Sequence, residues 1–236
     1  MNTQYKYRPQ RIDDFVFAND RLEQQIKRYT SGRSLRPLVL HGTNGTGKST
    51  LADLIPKSLD GSQVKITRIK AEDLNSNAEV RKFFSRNKQF DKFFAPDGQS
   101  RCYTVVEEVN FDPKAKGALR DSLDEMEGRD LVIFTTNELG KLDEGLLSRA
   151  EVIEIPPAPP ERFLSHAQTI LQAEGIELDD GSVIEVLESV FELHRDNRAY
   201  YKALDEIIDA WQEDTNSDGQ QSHTKPNDFF IFQGEK

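Results

Sequence analysis

The sequence predicts an α/β protein in which a parallel β-sheet domain, built around a phosphate-binding loop, precedes a small all-helical domain. The stretch from Gly42 to Ser49 matches G-x-x-x-x-G-K-[ST], with an apolar segment before it and a helical pattern after it. Strand-like and helical patterns alternate as far as a proline cluster at 156–160, which is typical of a parallel sheet. Beyond that cluster we find helical patterns and no strand pattern.

Composition limits the class of protein. A chain of 236 residues can form one large domain, or a medium domain and a small one, and the single cysteine, Cys102, excludes an internal disulfide framework. We find no apolar run of membrane-spanning length and no signal-peptide pattern, so we expect a cytoplasmic protein without a membrane partner. The net charge of −10 argues against a general nucleic-acid coat but leaves room for a local basic surface.

The region around the loop predicts an N-terminal arm, a helix, a strand and a second helix. The segment around Pro9 should be extended, and Asn19 or Asp20 should cap the first helix. A short buried strand at 36–40 should lead into the loop, and the helix after the loop should stop near Pro56.

The rest of the predicted sheet comes from four segments with strand-like composition. Helices should begin after the polar group Asn75-Ser76-Asn77 and at Pro113, between these strands. The strands are expected at 63–69, 102–106, 130–137 and 152–155.

The proline cluster marks the predicted domain boundary, with an α/β domain at 1–157 and a helical domain at 158–212. The helices of the helical domain are expected near 160–174, 182–193 and 197–211.

Residues 213–236 are predicted to form a disordered tail, because the sequence from Gln212 to Asn227 is almost entirely polar. The tail carries an apolar hook, Phe229–Phe232, which we expect to dock on a partner or a neighbouring subunit. The alternatives are that the hook folds back onto its own domain or has no role.

The phosphate-binding loop is the strongest functional signal. Its glycines allow successive backbone N–H groups to point at phosphate oxygens, and the helix after it adds the positive end of its dipole. We expect Lys48 to reach the β- and γ-phosphates of a nucleoside triphosphate and the Ser49 hydroxyl to ligate magnesium. A glycine-rich turn that matches by chance is the alternative. The expected nucleotide-binding residues of the loop are Thr43, Asn44, Gly45, Thr46, Gly47, Lys48, Ser49 and Thr50.

Polar side chains at the ends of two predicted strands add catalytic candidates. Glu107 and Glu108 follow a buried strand, where a nucleotide hydrolase needs one acid for magnesium and a second to polarise the attacking water. Asn137 ends the next strand along the chain and could bond the γ-phosphate or the water. A solvated strand end and a chance Asn in a turn are the alternatives.

Six motifs occur together in the order and at about the spacing of one family. With them the chain resembles the AAA+ ATPases, and in particular the clamp-loader small subunits of phage and replication factor C type, over roughly residues 5–211. The Tyr-Arg-Pro segment and the Ser-Arg pair are the specific parts of this resemblance. The motifs are Tyr7-Arg8-Pro9 with Asp13-Asp14, the phosphate loop, Glu107-Glu108, Thr136-Asn137, Ser148-Arg149 and Asp196-Asn197-Arg198.

The resemblance implies an AAA+ base with an all-α lid, ATP and Mg²⁺ at the loop, and a role for each matched residue. Asn137 resembles sensor 1, and Arg149 resembles the arginine finger that enters the neighbouring subunit's site in an oligomer. Arg198 resembles sensor 2, which reports the γ-phosphate to the lid. The residues that resemble the adenine-side wall are Tyr7, Arg8 and Val16.

The chain departs from the family pattern in three ways. Glu107 stands where the family usually has Asp, so the magnesium carboxylate is displaced by about one bond length. Clamp-loader subunits continue into a helical collar, for which we see no counterpart after the lid. The basic residues that would line DNA are modest in number: Arg81, Lys82, Arg86, Lys114 and Lys116.

These features predict an ATP-binding and ATP-hydrolysing, magnesium-dependent subunit of a homo- or hetero-oligomer that acts on DNA or on a DNA-bound protein, in the manner of a clamp loader. One alternative is a nucleotide-gated scaffold, a ring or filament in which hydrolysis only resets assembly. Another is a helicase- or protease-type remodelling motor, which the lack of an appended domain disfavours.

Overall fold

The computed structural model describes residues 2–94, 101–109, 115–126 and 130–217 of the chain. Its strands are β1 (Leu38–His41), β2 (Ile66–Lys70), β3 (Tyr103–Glu107), β4 (Leu131–Thr136) and β5 (Glu151–Glu154). Its helices are α1 (Thr3–Lys6), α2 (Asp20–Thr30), α3 (Lys48–Asp60), α4 (Asn77–Phe94), α5 (Lys116–Asp124), α6 (Glu144–Leu147), α7 (Pro160–Ala173), α8 (Asp180–His194) and α9 (Asn197–Ser217).

The strands of the described residues form one sheet in the order β2-β3-β4-β1-β5, and every neighbouring pair is parallel. Parallel neighbours need a crossover connection, and helices α3, α4, α5 and α6 supply one after each of the first four strands. The prediction of a parallel α/β sheet followed by a helical region is therefore confirmed.

Alternate side chains of the strands enter two cores, one on each face of the sheet. On β1, Leu38 and Leu40 pack with α2 and α3, whereas Val39 packs on the opposite face with α4 and α5. All three side chains are fully buried. A strand that is buried on both faces needs a continuous apolar sequence, which is what the segment before the phosphate loop has.

The carboxyl ends of the parallel strands meet at one edge of the sheet. His41 at the end of β1 lies beside Thr136 of β4 and Glu154 of β5. Glu107 ends β3 at the same edge, and Asn137 follows β4 there. The topology thus brings the phosphate loop, the two acids and Asn137 to one side of the sheet, where ligands bind in open parallel sheets.

Two helix starts follow the sequence prediction. The Asn19 side chain accepts a hydrogen bond from the backbone N–H of Leu22 at 2.9 Å and caps α2. Before α4, the Ser76 hydroxyl accepts from the backbone N–H of Glu79 at 3.3 Å.

The helix after the phosphate loop does not stop near Pro56, and that prediction is wrong. Helix α3 continues to Asp60 and ends at Gly61, whose φ of +92° and backbone N–H bond to Lys57 terminate it. Pro56 has no N–H to donate to the carbonyl of Ala52, so the helix lacks one bond. Pro56 is itself buried, and its packing offsets that loss.

Helix α9 continues to Ser217, beyond the predicted end of the helical domain at 212. The polar residues at 213–217 were expected to be disordered, and that prediction is wrong for them. Extending an existing helix fixes one residue for each added hydrogen bond, which costs far less than starting a helix. The rest of the tail, including the hook Phe229–Phe232, lies outside the described residues.

The chain divides into two compact units. The α/β unit is Pro9–Pro157, and the helical unit combines the residues up to Arg8 with the chain from Ala158 onward. The sequence predicts residues 1–8 as part of the α/β domain, and this prediction is wrong for residues 2–8. They belong instead with the helices, because the fully buried Thr3 donates its N–H to Asp205 at 2.9 Å and its hydroxyl to the carbonyl of Tyr201 at 3.0 Å.

The start of the helical unit is tied to α9 by two hydrogen bonds. The backbone N–H of Ala158 donates to the Asn197 side chain at 2.8 Å, and the buried Tyr200 hydroxyl donates to the carbonyl of Ala158 at 2.9 Å. Within the described ranges, none of the helices has the length and apolar character that a membrane span requires.

Candidate nucleotide-binding site

The backbone of the phosphate loop requires glycine at two positions for separate reasons. Gly42 has a φ of +147°, and a Cβ added to it would collide with the carbonyl oxygen of Ile155. Gly47 has a φ of +96°, and a Cβ there would lie 2.6 Å from the ring of Phe15. Both φ values are unfavourable for side chains, so the loop conformation and its close neighbours depend on these glycines.

Lys48 is folded over the loop that precedes it. Its Nζ donates to the carbonyl of Gly42 at 2.9 Å and to the carbonyl of Thr43 at 2.5 Å, and the residue is only 9% exposed. The buried Thr46 hydroxyl donates to the same Thr43 carbonyl at 3.2 Å. The loop thus holds its lysine at the centre of the turn, where the cation can face phosphate oxygens.

Asn137 reaches the phosphate loop from β4. Its Nδ2 donates to Oδ1 of Asn44 at 2.8 Å, between side chains that are 93 residues apart in the sequence. Both residues are exposed, so their polar groups are accessible to a ligand at the loop. The structure therefore brings together two of the predicted site residues.

Glu107 is held by an arginine that the sequence analysis did not single out. Arg68 of β2 donates from Nη1 to Oε1 of Glu107 at 2.6 Å and from Nη2 to Asp53 of α3. The Arg68 side chain is 32% exposed and links two carboxylates beside the loop helix. The arginine therefore competes with any cation that Glu107 would ligate.

Glu108 has a left-handed backbone, with a φ of +55°. Such a conformation is uncommon for a residue with a side chain and persists only where its neighbours hold it. The following residue supplies the restraint, because the buried Val109 donates its backbone N–H to the carbonyl of Thr135 at 3.0 Å. The turn leaves Glu108 exposed just beyond the end of β3.

Ser49 and Thr50 begin α3, with Ser49 exposed and Thr50 partly buried. Among the described residues, no group of three or more His, Cys, Asp and Glu side chains is arranged to hold a metal ion. A magnesium ion uses few protein ligands in a phosphate site, because phosphate oxygens and water complete its octahedron. A hydroxyl such as that of Ser49 and a carboxylate such as that of Glu107 are donor types that such an ion accepts.

His41 lies immediately before the loop and is partly buried. Burial is the main cause that lowers its pKa from 6.5, the nearby Lys48 charge adds to the effect, and Glu154 opposes it. The imidazole is thus mostly neutral at pH 7 and adds little charge to the loop.

Arg149 lies in a different part of the α/β unit, after α6. Its guanidinium donates from Nε and Nη2 to the two carboxylate oxygens of Asp124 at 2.7 and 2.6 Å, and from Nη1 to the carbonyl of Gly145 at 2.9 Å. The hydrogen bond from Arg149 lowers the pKa of Asp124. The predicted arginine finger is therefore engaged by its own chain.

The other predicted site residues divide between the units. Val16 is partly buried in the α/β unit. In the helical unit, the Tyr7 hydroxyl donates to Glu174, which also pairs with Lys6 at 2.6 Å. Burial, followed by the bond to Glu174, raises the pKa of Tyr7.

Arg8 and Arg198 are exposed in the helical unit. Arg198 is the second residue of α9, and its backbone N–H donates to the Asp196 side chain at 2.8 Å.

Comparison with protein families matches residues 38–157, just over half of the 236-residue chain, to the "ATPase family associated with various cellular activities (AAA)". The chain belongs to the AAA family. The match begins at β1 and runs to the end of the α/β unit, so it contains the phosphate loop, both acids, Asn137 and Arg149.

Curated relatives of this AAA protein include replication factor C small subunits of archaea. The protein of Methanosphaera stadtmanae is 28% identical over 180 residues, which is 75% of this chain and 55% of the relative. A small subunit 1 of Pyrobaculum arsenaticum is 26% identical over 182 residues, 75% of this chain and 54% of the relative. The resemblance to clamp-loader small subunits is confirmed, and the chain spans about half the length of these relatives.

Solved structures show the same fold at low sequence identity. The RuvB Holliday junction branch migration motor of Thermotoga maritima superposes with a TM-score of 0.70 at 15% identity, covering 89% of this chain and 67% of that one. Domain III of the replication initiation protein DnaA from the same organism has a TM-score of 0.58 at 18% identity, covering 87% and 90%.

Three residues that pair with predicted site residues or their neighbours were missed by sequence analysis: Arg68, Asp124 and Glu174. Each makes an ion pair with a predicted site residue or its neighbour that is 25 to 168 positions away. Of these three residues, Arg68 alone could have been noticed in the sequence, because it is a charged residue inside a strand-like segment. Asp124 and Glu174 stand in ordinary polar helix sequences that carry no such signal.

Proposed function

We propose that this AAA protein binds and hydrolyses ATP, with magnesium, at the interfaces between subunits of a clamp-loader-like oligomer that acts on DNA or on a DNA-bound protein. The observation that carries the proposal is the hydrogen bond from Asn137 to Asn44, which joins the end of β4 to the phosphate loop at 2.8 Å. A side chain held there is within reach of a γ-phosphate or of the water that attacks it.

The loop residues would bind the triphosphate. Lys48 exchanges its two carbonyl partners for the β- and γ-phosphates, and the N–H groups of the loop and of the first turn of α3 bind the remaining oxygens. Ser49 and Glu107 would hold Mg²⁺, which neutralises charge on the phosphates. The Arg68–Glu107 pair must open for this, so Arg68 affects how readily the site accepts the ion.

Glu108 is the proposed acid that polarises the attacking water. Its backbone is left-handed and is restrained by the Val109 bond to β4, whereas Glu107 is still part of the extended strand β3. Backbone strain of this kind persists only where the surrounding structure holds it in place, and it clusters at functional sites. Asn137 would orient the water or the γ-phosphate from the end of the neighbouring strand, β4.

The remaining roles follow the resemblance to clamp-loader subunits. Arg149 acts in trans, on the nucleotide of the adjacent subunit, and Arg198 acts as a second sensor from the helical unit. Tyr7, Arg8 and Val16 form the adenine side of the site. The helical unit from residue 158 onward acts as the lid, and the hook Phe229–Phe232 docks on a partner or on a neighbouring subunit.

Action on DNA or on a DNA-bound protein is supported by the curated relatives, which are named replication factor C small subunits. The basic candidates among the described side chains are Arg81, Lys82 and Lys116, and Arg81 is paired with Asp121 at 3.1 Å. This pairing and the net charge of −10 leave a weak basic surface, which favours a contact that depends on assembly.

A mixing experiment tests subunit-interface hydrolysis. Arg149→Ala leaves an intact loop without a finger, and Lys48→Ala leaves an intact finger without a functional loop. Each variant alone should have little ATPase activity, and the mixture should recover part of it, because the Lys48→Ala subunit supplies Arg149 to the Arg149→Ala subunit.

The matched control is Arg33→Ala, which removes an exposed arginine from the turn after α2 and should leave turnover at the wild-type value. Turnover is measured as phosphate release over a range of protein concentrations. A mixture as inactive as its two components, under conditions where mixed oligomers are seen by native mass spectrometry, would show that Arg149 does not act in trans.

A nucleotide-gated scaffold is the second candidate, and the Arg68–Glu107 pair favours it. A magnesium carboxylate that is already paired gives a site in which binding is intact but hydrolysis is slow. In this case ATP drives assembly, and turnover only resets it. Arg68→Ala should then increase the turnover of the assembled protein, whereas a loader would depend on DNA and its partner for stimulation.

A further inference from the structure

Two Arg–Asp pairs connect α5 with the segment around α6, and they differ in how firmly they are held. Arg120 and Asp143 are joined by two hydrogen bonds, at 2.9 and 2.6 Å, and Asp143 also caps α6 by accepting from the backbone N–H of Leu146 at 3.2 Å. Asp143 is only 17% exposed. This pair is part of the fold, because its carboxylate, Asp143, is mostly buried and also serves as a helix cap.

The second pair, Arg149 with Asp124, has no such structural role. Asp124 is 56% exposed, lies at the C-terminal end of α5, and accepts hydrogen bonds from Nε and Nη2 of Arg149. Exposed ion pairs contribute little to stability because water and salt compete with them. The pair can therefore open without loss of the fold.

The backbone that carries Arg149 is fixed independently of that pair. The backbone N–H groups of Arg149 and Ala150 both donate to the carbonyl of Leu146 at 3.1 Å, and Ala150 and Leu146 are buried. Opening the pair with Asp124 thus requires a rotation of the Arg149 side chain, which also breaks the bond from Nη1 to the carbonyl of Gly145 but leaves the backbone of α6 in place.

A guanidinium presents a planar edge of two donors that fits either a carboxylate or a phosphate. In this structure that edge is occupied by Asp124, so the same two donors cannot serve a phosphate at the same time. A nucleoside triphosphate carries more negative charge than one carboxylate. A triphosphate that a second subunit brought close would therefore attract the guanidinium more strongly than Asp124 does.

We propose that Asp124 is an intramolecular latch, which holds the Arg149 guanidinium in the free subunit and is displaced by the triphosphate bound to an adjacent copy. This inference rests on the proposed function, because it assigns a regulatory role to the group that holds the proposed finger. With the latch in place, Arg149 enters the site of the adjacent subunit only after its bonds to Asp124 are broken. The latch therefore raises the protein concentration at which hydrolysis begins.

The first test measures ATP turnover against protein concentration for Asp124→Asn. The amide keeps the shape of the side chain but loses the charge and the two-acceptor edge. The concentration that gives half-maximal turnover should fall by roughly fivefold, the equivalent of about 1 kcal/mol, while the plateau at saturating concentration stays unchanged. The matched control is Glu23→Gln, which removes the carboxylate of a separate surface ion pair, the one with Lys27 on α2, and should not move the curve.

An unchanged or higher half-maximal concentration, or a lower plateau, would overturn the latch. A lower plateau would mean that Asp124 positions Arg149 for catalysis instead of restraining it. If Arg149→Ala keeps full turnover at every concentration, it is the proposed role of Arg149 in hydrolysis that fails, and the latch is then judged by a second measurement alone.

That measurement is the rate at which phenylglyoxal modifies Arg149 in the dilute, nucleotide-free protein, followed by mass spectrometry of the Arg149 peptide. Asp124→Asn should increase the rate at Arg149 severalfold and leave the rate at Arg120 unchanged, because Asp143 still holds Arg120. Equal rates at Arg149 in wild type and variant would overturn the latch whatever the turnover data show. Thermal melting of both variants confirms that the fold is retained.

Discussion

In the α/β unit the conformation of the phosphate loop is fixed mainly by backbone geometry and bonds to backbone carbonyls. In the helical unit the position of Tyr7 is fixed by a contact between side chains. The loop depends on glycines with positive φ, on the buried Thr46 and on Lys48 bonded to two carbonyls. Tyr7 depends on Glu174, a single carboxylate that it shares with Lys6. Backbone geometry persists when conditions change, but an ion pair at the surface responds to pH, salt and neighbouring charge.

The two regions are therefore suited to different proposed roles. The loop is suited to a contact that every nucleotide makes, the one to its phosphates. The N-terminal segment is suited to the adjustable contact proposed for Tyr7 and Arg8, because Thr3 and Tyr7 are held by side chains of the helical unit. Substitutions in the two regions should therefore differ in the size of their effects on nucleotide binding.

The largest effect should come from Lys48→Ala. Truncating one partner of a buried charge pair costs about 2–5 kcal/mol, so the affinity for ATP should fall by roughly 30-fold to several thousand-fold. Isothermal titration with ATP measures this change. The matched control is Lys57→Ala, a lysine in the last turn of the same helix, which should bind ATP as the wild type does. Comparable affinities for Lys48→Ala and Lys57→Ala would contradict the assignment of the loop.

A much smaller effect on nucleotide binding should follow from Glu108→Gln, because the loss in this variant is confined to the chemical step. Removing a general base lowers turnover by about 10²–10⁴-fold, while the affinity for ATP stays within a few-fold of the wild-type value because the loop is intact. Phosphate release and nucleotide binding are measured on the same preparation.

Glu107→Gln tests the other proposed acid. This variant keeps the base, and it should instead raise the magnesium concentration that turnover requires. Normal turnover in Glu108→Gln would sink the assignment of Glu108 as the residue that activates water.

Local sequence was enough to predict the elements of the α/β unit that depend on local rules. The glycines of the loop, the cap at Asn19 and the apolar strands around Val39 are each specified by a few adjacent residues. Pro56 shows the limit of such rules, because a proline stops a helix only where packing does not offset the lost bond. The end of α9 at Ser217 shows the same limit for polar residues that follow a stable helix.

The parts of the site that could not be predicted are contacts between distant residues. Arg68 meets Glu107 because β2 and β3 are neighbours, and Asp124 meets Arg149 because α5 and α6 pack together. The neighbouring residues in the sequence do not indicate that either pair forms. The grouping of Thr3 with α9 is of the same kind, since it depends on hydrogen bonds across about 200 residues.

The smallest effect should be the release of the N-terminal segment at acid pH. Hydrogen bonds from Lys6 and then from Tyr7 lower the pKa of Glu174 below its ordinary value of 4.5. A carboxylate with a lowered pKa stabilises the fold above its unfolded pKa, and this contribution is lost as the pH falls through the lower, folded value. Amide exchange at residues 3–8 should therefore accelerate below about pH 4.5, by less than about tenfold since the pair is partly exposed.

The comparison that isolates this effect is Glu174→Gln at the same pH, because the amide cannot titrate and the intrinsic pH dependence of exchange then cancels. Above pH 5 the variant should exchange somewhat faster than the wild type in residues 3–8, and below pH 4 the two should converge. Glu188→Gln, an exposed carboxylate on α8, should behave as the wild type throughout. Exchange in the phosphate loop should not differ between the proteins, because no part of it depends on Glu174. If wild type and Glu174→Gln keep a constant ratio from pH 6 to pH 3.5, Glu174 does not fasten the segment.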